Sequence, residues 1–501
     1  MISKVFSGAV LGLEGELIEV EADVSNGLPA TIIVGLPDTA VQESKERVKT
    51  AIKNSECSYP STRVSVNLAP ADVPKLGTHF DLPIALAILL ASEQISFDPL
   101  GKIFLGELSL DGLVRGVPGV LAIALKAKAE GLKELYVPEA NVKEAALVSG
   151  ISIYGVKNLI GLLKHLLALS LLTPEPVLEP SEVLTNKTSS LNMFDVAGQE
   201  LAKRALEIAA SGGHNILLSG PPGSGKTLLA RAMSGILPNL SLEECLELTK
   251  IYSIAGKLTS QFISSRPVRS PHHTTSNVAL VGGGALPKPG EITLSHRGIL
   301  FLDEFPEFPR NVLEALRQPL EDGVVTVSRA RGSFTFPAKF TLVAAQNPCP
   351  CGFLGDPVKR CICTPGQIAK YQKKISGPLL DRIDLHVEVP RLPFEKIHNT
   401  SGNETSEQIK VRVQAARAIQ RERFGDSKTN SEMNLIELKQ FCIIGSSEQE
   451  MLGIAMKKYN FSGRSLHRIL KVSRTIADLS GLENISKDNL AEAIMYRPKA
   501  E

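Results

Sequence analysis

The chain has 501 residues, enough for about two to four domains, and its 55 Lys plus Arg against 53 Asp plus Glu leave a formal net charge of +2. That near-balance excludes a global basic field, so any contact with nucleic acid has to be local. Seven cysteines, an odd number in a large chain, argue against a secreted disulfide scaffold, and the longest apolar run, Leu82 to Ala91, is too short for a membrane span and carries Pro83.

The N-terminus meets Glu14 and Glu16 early and lacks a signal-peptide layout, which places the protein in the cytosol. Up to about residue 168, strand-like runs (Leu17 to Val24, Thr31 to Val34, Arg63 to Leu68) alternate with helical ones such as Thr39 to Ile52. The proline- and glutamate-rich stretch around Thr173 to Ser190 has little periodicity, so residues 169–191 are predicted to be a linker.

Residues 192–395 are predicted to form an α/β nucleotide-binding core. Asn215 to Ser219 is a short apolar strand, and the next eight residues, Gly220, Pro221, Pro222, Gly223, Ser224, Gly225, Lys226 and Thr227, spell a phosphate-binding loop that opens a helix. Glycines there let backbone N–H groups curl around phosphates, the lysine neutralises the β- and γ-phosphates, and the threonine hydroxyl suits Mg2+. Gly298 to Phe305 is a second apolar strand ending in two acids. Asp303 is assigned to the Mg2+ shell and Glu304 to polarising the attacking water, because phosphoryl transfer needs both parts. A strand from Thr341 to Gln346 is followed by Asn347, whose amide could orient that water. ATP and Mg2+ are therefore the expected cofactors.

Three further features lie in this core. His272 and His273 are adjacent but have no third ligand nearby, so they read as a loop rather than a metal site. Val324 to Phe336 reads as two alternating strands joined at a tight basic tip carrying Arg329 and Arg331, with a solvated hairpin turn as the alternative. Cys349, Cys351, Cys361 and Cys363 fall within fifteen positions, with Gly352, Gly355, Pro357 and Pro365 making turns, the outline of a structural zinc site. The one-residue spacing inside each pair is tighter than usual, and a metal-free loop of small residues is the alternative.

Residues 396–501 read as helical: Glu407 to Phe424, Leu435 to Phe441, Ser446 to Tyr459, Gly463 to Leu479 and Lys487 to Met495. Arg412, Arg417, Arg421 and Arg423 on the first of these scatter around the axis, which suggests a solvated surface rather than a groove.

With the phosphate loop, the acidic pair, Asn347 and the run Gly377 to Asp384 in place, the core resembles the magnesium-chelatase-like branch of the AAA+ ATPases, an αβα P-loop fold with a C-terminal helical lid. The resemblance implies that Arg382 is an arginine finger completing the neighbouring subunit's site, that Asn347 is the sensor-1 residue, and that Arg464 is the sensor-2 arginine, with Arg468 as fallback. It also implies that the basic hairpin projects into a ring pore, where Arg329 and Arg331 touch phosphates without reading bases. The blocks Asp72 to His79 and Leu105 to Gly112 resemble the proteolytic domain of Lon-type peptidases, a ribosomal S5-like α+β fold, which implies a Lon-like domain over residues 1–168. That family's serine and lysine positions are His79 and Ile123 here, so the fold is expected without the peptidase. Over its full length the chain resembles the ComM and YifB family. The resemblance implies a hexameric DNA motor promoting branch migration on single-stranded and branched DNA, without sequence preference, during recombination of DNA taken up in natural transformation. The alternatives are a metal-chelatase-type motor subunit and an ATP-dependent peptidase relative lacking protease activity.

Overall fold

A computed structural model describes residues 2–178, 191–284, 287–329, 332–393, 403–425 and 428–498. The chain divides into two compact units: residues 1–183 with 245–263, and residues 184–244 with 264–501. The sequence reading puts residues 245–263 inside the nucleotide-binding core. In the fold these residues pack with the first unit: Gly119 N–H donates to Ser253 Oγ at 2.8 Å, and Lys250 pairs with Glu14 at 2.8 Å.

The first unit is built on a seven-stranded mixed sheet. Its strands run in the order Ala30–Val34, Arg63–Ala69, Glu14–Ser25, Ile2–Leu11, Lys102–Phe104, Glu134–Pro138 and Ser152–Val156. Alternation drives the pairing: Val64, Val66 and Leu68 face the core while their neighbours do not. The apolar run at residues 82–91 is the helix Asp81–Ala91, hydrophobic all round and buried in that core. His79 and Ile123 both lie near Gly8, where a Cβ would be 2.5 Å from Ile123 Cγ2. Burial pushes the His79 imidazole down to about 4, so it is neutral at ordinary pH.

In the second unit a five-stranded parallel sheet runs Val268–Arg269, Ile299–Leu302, Thr341–Gln346, Ile216–Ser219 and Leu385–Glu388. All four residues of Ile299–Leu302 are buried, as a parallel strand covered on both faces requires. Helices Ser406–Phe424, Leu435–Phe441, Ser446–Tyr459, Gly463–Leu479 and Lys487–Met495 follow, within one residue of the periodicity reading. Their starts are chemically marked: Thr405, Asn434 and Ser486 form capping boxes, and Ser462 accepts from Ser465 N–H. Among the described residues, no helix is long and apolar enough to cross a membrane.

The arginines of Ser406–Phe424 depart from the expected solvated surface. Arg412 pairs with Glu207 and Glu404, Arg417 donates to Ala210 O at 3.0 Å, and Arg423 pairs with Asp478 at 2.6 Å; of the four, Arg421 alone is exposed. Buried acids and a helix-end carbonyl on neighbouring elements recruit them, which helical spacing cannot reveal.

Asp384 ties Gly463–Leu479 to the sheet. Burial works against its charge, yet Arg468 and His214 beside it hold the carboxyl well below the usual carboxylate range. A depressed folded value stabilises the fold above the unfolded carboxylate pKa of about 4, and that contribution drains away as pH falls below it. Asp384→Ala, which removes the carboxylate that Arg468 and His214 face, is expected to cost about 3–5 kcal/mol. Denaturant unfolding at pH 7 measures this, and a loss under about 1 kcal/mol would contradict the assigned coupling.

Candidate nucleotide site

The phosphate loop turns at Gly223 and Gly225, whose φ values of +76° and +94° lie in the left-handed region. A Cβ at either would meet nothing within 4 Å, so conformation rather than space requires glycine. The loop feeds the helix Lys226–Ala232, and the Lys226 ammonium folds back over it, donating to Gly220 O at 2.7 Å, Pro221 O at 2.9 Å and Asn347 Oδ1 at 3.2 Å. Burial lowers the Lys226 pKa, and the Asp303 charge opposes the shift. The lysine is thus pre-positioned and poorly solvated, able to exchange carbonyl partners for phosphate oxygens.

Sheet order brings in the remaining groups. Thr341–Gln346 lies between Ile216–Ser219 and Ile299–Leu302, so Asn347 leaves the sheet between the phosphate loop and the acidic pair. Thr227 Oγ1 donates to Asp303 Oδ2 at 2.7 Å, placing a hydroxyl and a carboxylate side by side, hard oxygen donors of the kind Mg2+ takes. The other Asp303 oxygen accepts from Glu304 N–H at 2.9 Å, and Glu304 sits at a left-handed φ of +52°. That strained backbone turns the Glu304 side chain out of the acidic strand toward solvent, where it is half exposed.

His273 is the residue the sequence reading did not assign here. Its Nδ1 lies 3.2 Å from Glu304 Oε2, and its ring meets Phe308 edge-on. Short loops connect Val268–Arg269 to this histidine and Ile299–Leu302 to this glutamate, and the two strands are neighbours. Only that adjacency, which residue spacing does not show, brings them together.

Lys226, Thr227, Asp303, Glu304 and Asn347 therefore form one cluster, whereas the predicted arginines stand apart from it. Arg382 donates to Pro378 O at 2.7 Å and pairs with Glu321, with its side chain largely buried. Arg468 is committed to Asp384, while Arg464 is exposed in the first turn of Gly463–Leu479. The hairpin pairs Val324–Arg329 with Gly332–Pro337, from Val324 opposite Pro337 to Arg329 opposite Gly332. Arg331 and the Arg329 side chain lie outside the described residues.

The four cysteines converge. Cys349 Sγ is 3.4 Å from Cys351 Sγ and 3.7 Å from Cys361 Sγ, Cys351 and Cys361 are 3.6 Å apart, and all four sulfurs lie within 4.8 Å of one another. Backbone N–H groups of Phe353 and Ile362 directed at Cys351 pull its thiol down to about 6, while burial and the neighbouring sulfurs push those of Cys361 and Cys363 up.

Residues 192–397 match the family described as "Magnesium chelatase, subunit ChlI", residues 20–141 "Subunit ChlI of Mg-chelatase", and residues 403–497 "Magnesium chelatase, subunit ChlI C-terminal". The competence protein ComM of Haemophilus influenzae is 44% identical over 497 residues, covering 98% of this chain and 97% of its own. The chain belongs to the ComM and YifB family of magnesium-chelatase-like AAA+ ATPases. YifB of Escherichia coli, another member, is 44% identical over 501 residues, covering 99% of this chain and 97% of its own. Likeness to a chelatase subunit itself is more local: the magnesium-chelatase 67 kDa subunit of Chlorobaculum parvum is 28% identical over 160 residues, 31% of this chain and 23% of its own. Membership of this family makes the chain a nucleotide-hydrolysing enzyme.

Proposed function

We propose that the chain is an ATP-driven, ring-forming DNA motor, hexameric in its working state, that promotes branch migration during recombination of DNA taken up in natural transformation. The observation carrying this reading is similarity over nearly the whole of both chains to a protein named for competence. The nucleotide cluster supplies the engine. Lys226 and the loop amides hold the phosphates, Thr227 and Asp303 hold Mg2+, which when bound neutralises phosphate charge, Glu304 polarises water, and Asn347 reads the γ-phosphate. Arg382 serves the neighbouring subunit's site and Arg464 acts as the sensor-2 arginine; the commitment of Arg468 to Asp384 favours that choice. Residues 1–168 act as a Lon-like scaffold without a nucleophile, since His79 and Ile123 offer neither hydroxyl nor amine. The C-terminal helices act as the lid, and the four cysteines hold structural zinc.

DNA would be gripped at the hairpin tip. Replacing both Arg329 and Arg331 with alanine is expected to weaken binding to all sequences and to flatten the slope of log affinity against log salt by about 0.7–0.9 per lost contact. An unchanged slope for single-stranded and forked DNA would take the hairpin out of the DNA path.

A second reading, a metal-chelatase-type motor subunit, is favoured by the printed descriptions of all three matching families. One experiment separates the two: ATP hydrolysis measured with forked or three-stranded DNA, and separately with chelatase partner subunits and a porphyrin. Stimulation by DNA alone supports the motor on DNA, and stimulation by the partners alone supports the chelatase reading.

A further inference from the structure

The cysteine cluster and the phosphate loop meet at one residue. Gly352, next to Cys351, has φ +84°, and a Cβ there would lie 2.6 Å from Cδ and 2.7 Å from Cγ of Pro222 in the phosphate loop, and 3.8 Å from Cγ of Asn347. Gly352 N–H donates to Cys349 O at 3.0 Å, so the close approach belongs to the same tight turn that gathers the sulfurs. Asn347 stands two residues before Cys349 and bonds Lys226.

Apolar burial does not hold this turn. Leu354, Val358 and Ile362 within it are exposed, the last at 85%. Asp356 accepts from Val358 N–H at 2.7 Å and Lys359 N–H at 2.9 Å, and beside these polar contacts the sulfurs draw its two ends together; the separations of 3.4–3.7 Å among Cys349, Cys351 and Cys361 are close to the edge of about 3.8 Å for a tetrahedron with metal–sulfur bonds of about 2.3 Å, with Cys363 within 4.8 Å of them.

We infer that a thiolate-seeking divalent cation of the zinc class, held by Cys349, Cys351, Cys361 and Cys363, is a strut for the nucleotide site: metal occupancy sets the position of Gly352 against Pro222, and of Asn347 against Lys226. The inference depends on the reading of that cluster as an ATP site. Loss of the metal loosens the phosphate loop from one side, so ATP affinity follows metal content although no cysteine touches nucleotide. Gly352 is a positioning residue in this arrangement.

The test uses full-length protein purified without chelator, with metal measured by elemental analysis and affinity by titration with a fluorescent ATP analogue. About one zinc per chain is expected. Stripping it should weaken nucleotide binding about tenfold or more, and adding zinc back should restore it. Gly352→Ala should retain zinc and lose affinity similarly. Gly355→Ala is the control for backbone strain: it has φ +76° in the same turn, but a Cβ there meets nothing within 4 Å, so its affinity should be unaffected. Pro222→Ala removes the ring atoms that the methyl introduced by Gly352→Ala would strike, and should recover part of the loss in the double variant. The inference is overturned by a protein without zinc, by a metal-free protein of unchanged affinity, by equal losses in Gly352→Ala and Gly355→Ala, or by a double variant showing no recovery. Zinc-loaded wild-type protein that binds no ATP would instead overturn the reading of the nucleotide site itself.

Discussion

Glu304→Gln protein is expected to bind ATP normally and turn it over about a hundredfold to ten-thousandfold more slowly. The substitution keeps side-chain length and leaves the backbone bond from residue 304 to Asp303 in place, so the Mg2+ corner built by Thr227 and Asp303 persists. What it removes is the negative oxygen that takes the proton from water. Lys226→Ala should behave differently, losing affinity as well as turnover, because the ammonium over Gly220 and Pro221 is the positive charge positioned for the phosphates. Equilibrium binding of a nucleotide analogue beside single-turnover phosphate release distinguishes the two variants. Near-normal hydrolysis by Glu304→Gln would remove Glu304 from the water-polarising role.

Arg382→Ala is expected to lower ATP hydrolysis about a thousandfold or more while leaving nucleotide binding intact. In the isolated chain the guanidinium is occupied by Glu321 and Pro378 O, so its use in trans requires the Glu321 pair to open when a neighbour presents ATP. Activity should therefore rise steeply with protein concentration. Mixing Arg382→Ala with Lys226→Ala subunits should restore part of the turnover, since a mixed ring contains sites with a lysine on one side and an arginine on the other. Melting curves for each variant check that loss of the Glu321 pair has not unfolded the chain. Mixed rings that form but hydrolyse no ATP would point to a role for Arg382 within its own chain.

The residues of the nucleotide cluster were legible in sequence to the extent that their chemistry is local. Eight consecutive residues state the phosphate loop, and an apolar strand ending in two acids announces Asp303 and Glu304 wherever the sheet places them. Pairing across the sheet was not legible. That Val268–Arg269 lies beside Ile299–Leu302, and so delivers His273 to Glu304, follows from strand order alone. The helix arginines failed for a related reason: 3.6-residue periodicity reports which faces are apolar, but says nothing of buried acids such as Glu207 and Asp478 on other elements. Cysteine spacing indicated a cluster, while its contact with Pro222 needed coordinates.

Thr341–Gln346 has a mechanical consequence. It is hydrogen-bonded on both sides, and only Ala338, Lys339 and Phe340 separate its start from the basic hairpin, while Asn347 caps its end. Six residues of extended chain make a rod about 20 Å long that neither bends nor stretches readily. Pinned by neighbours on both sides, the strand fixes the spacing between the hairpin at one end and the group facing Lys226 at the other, through backbone alone.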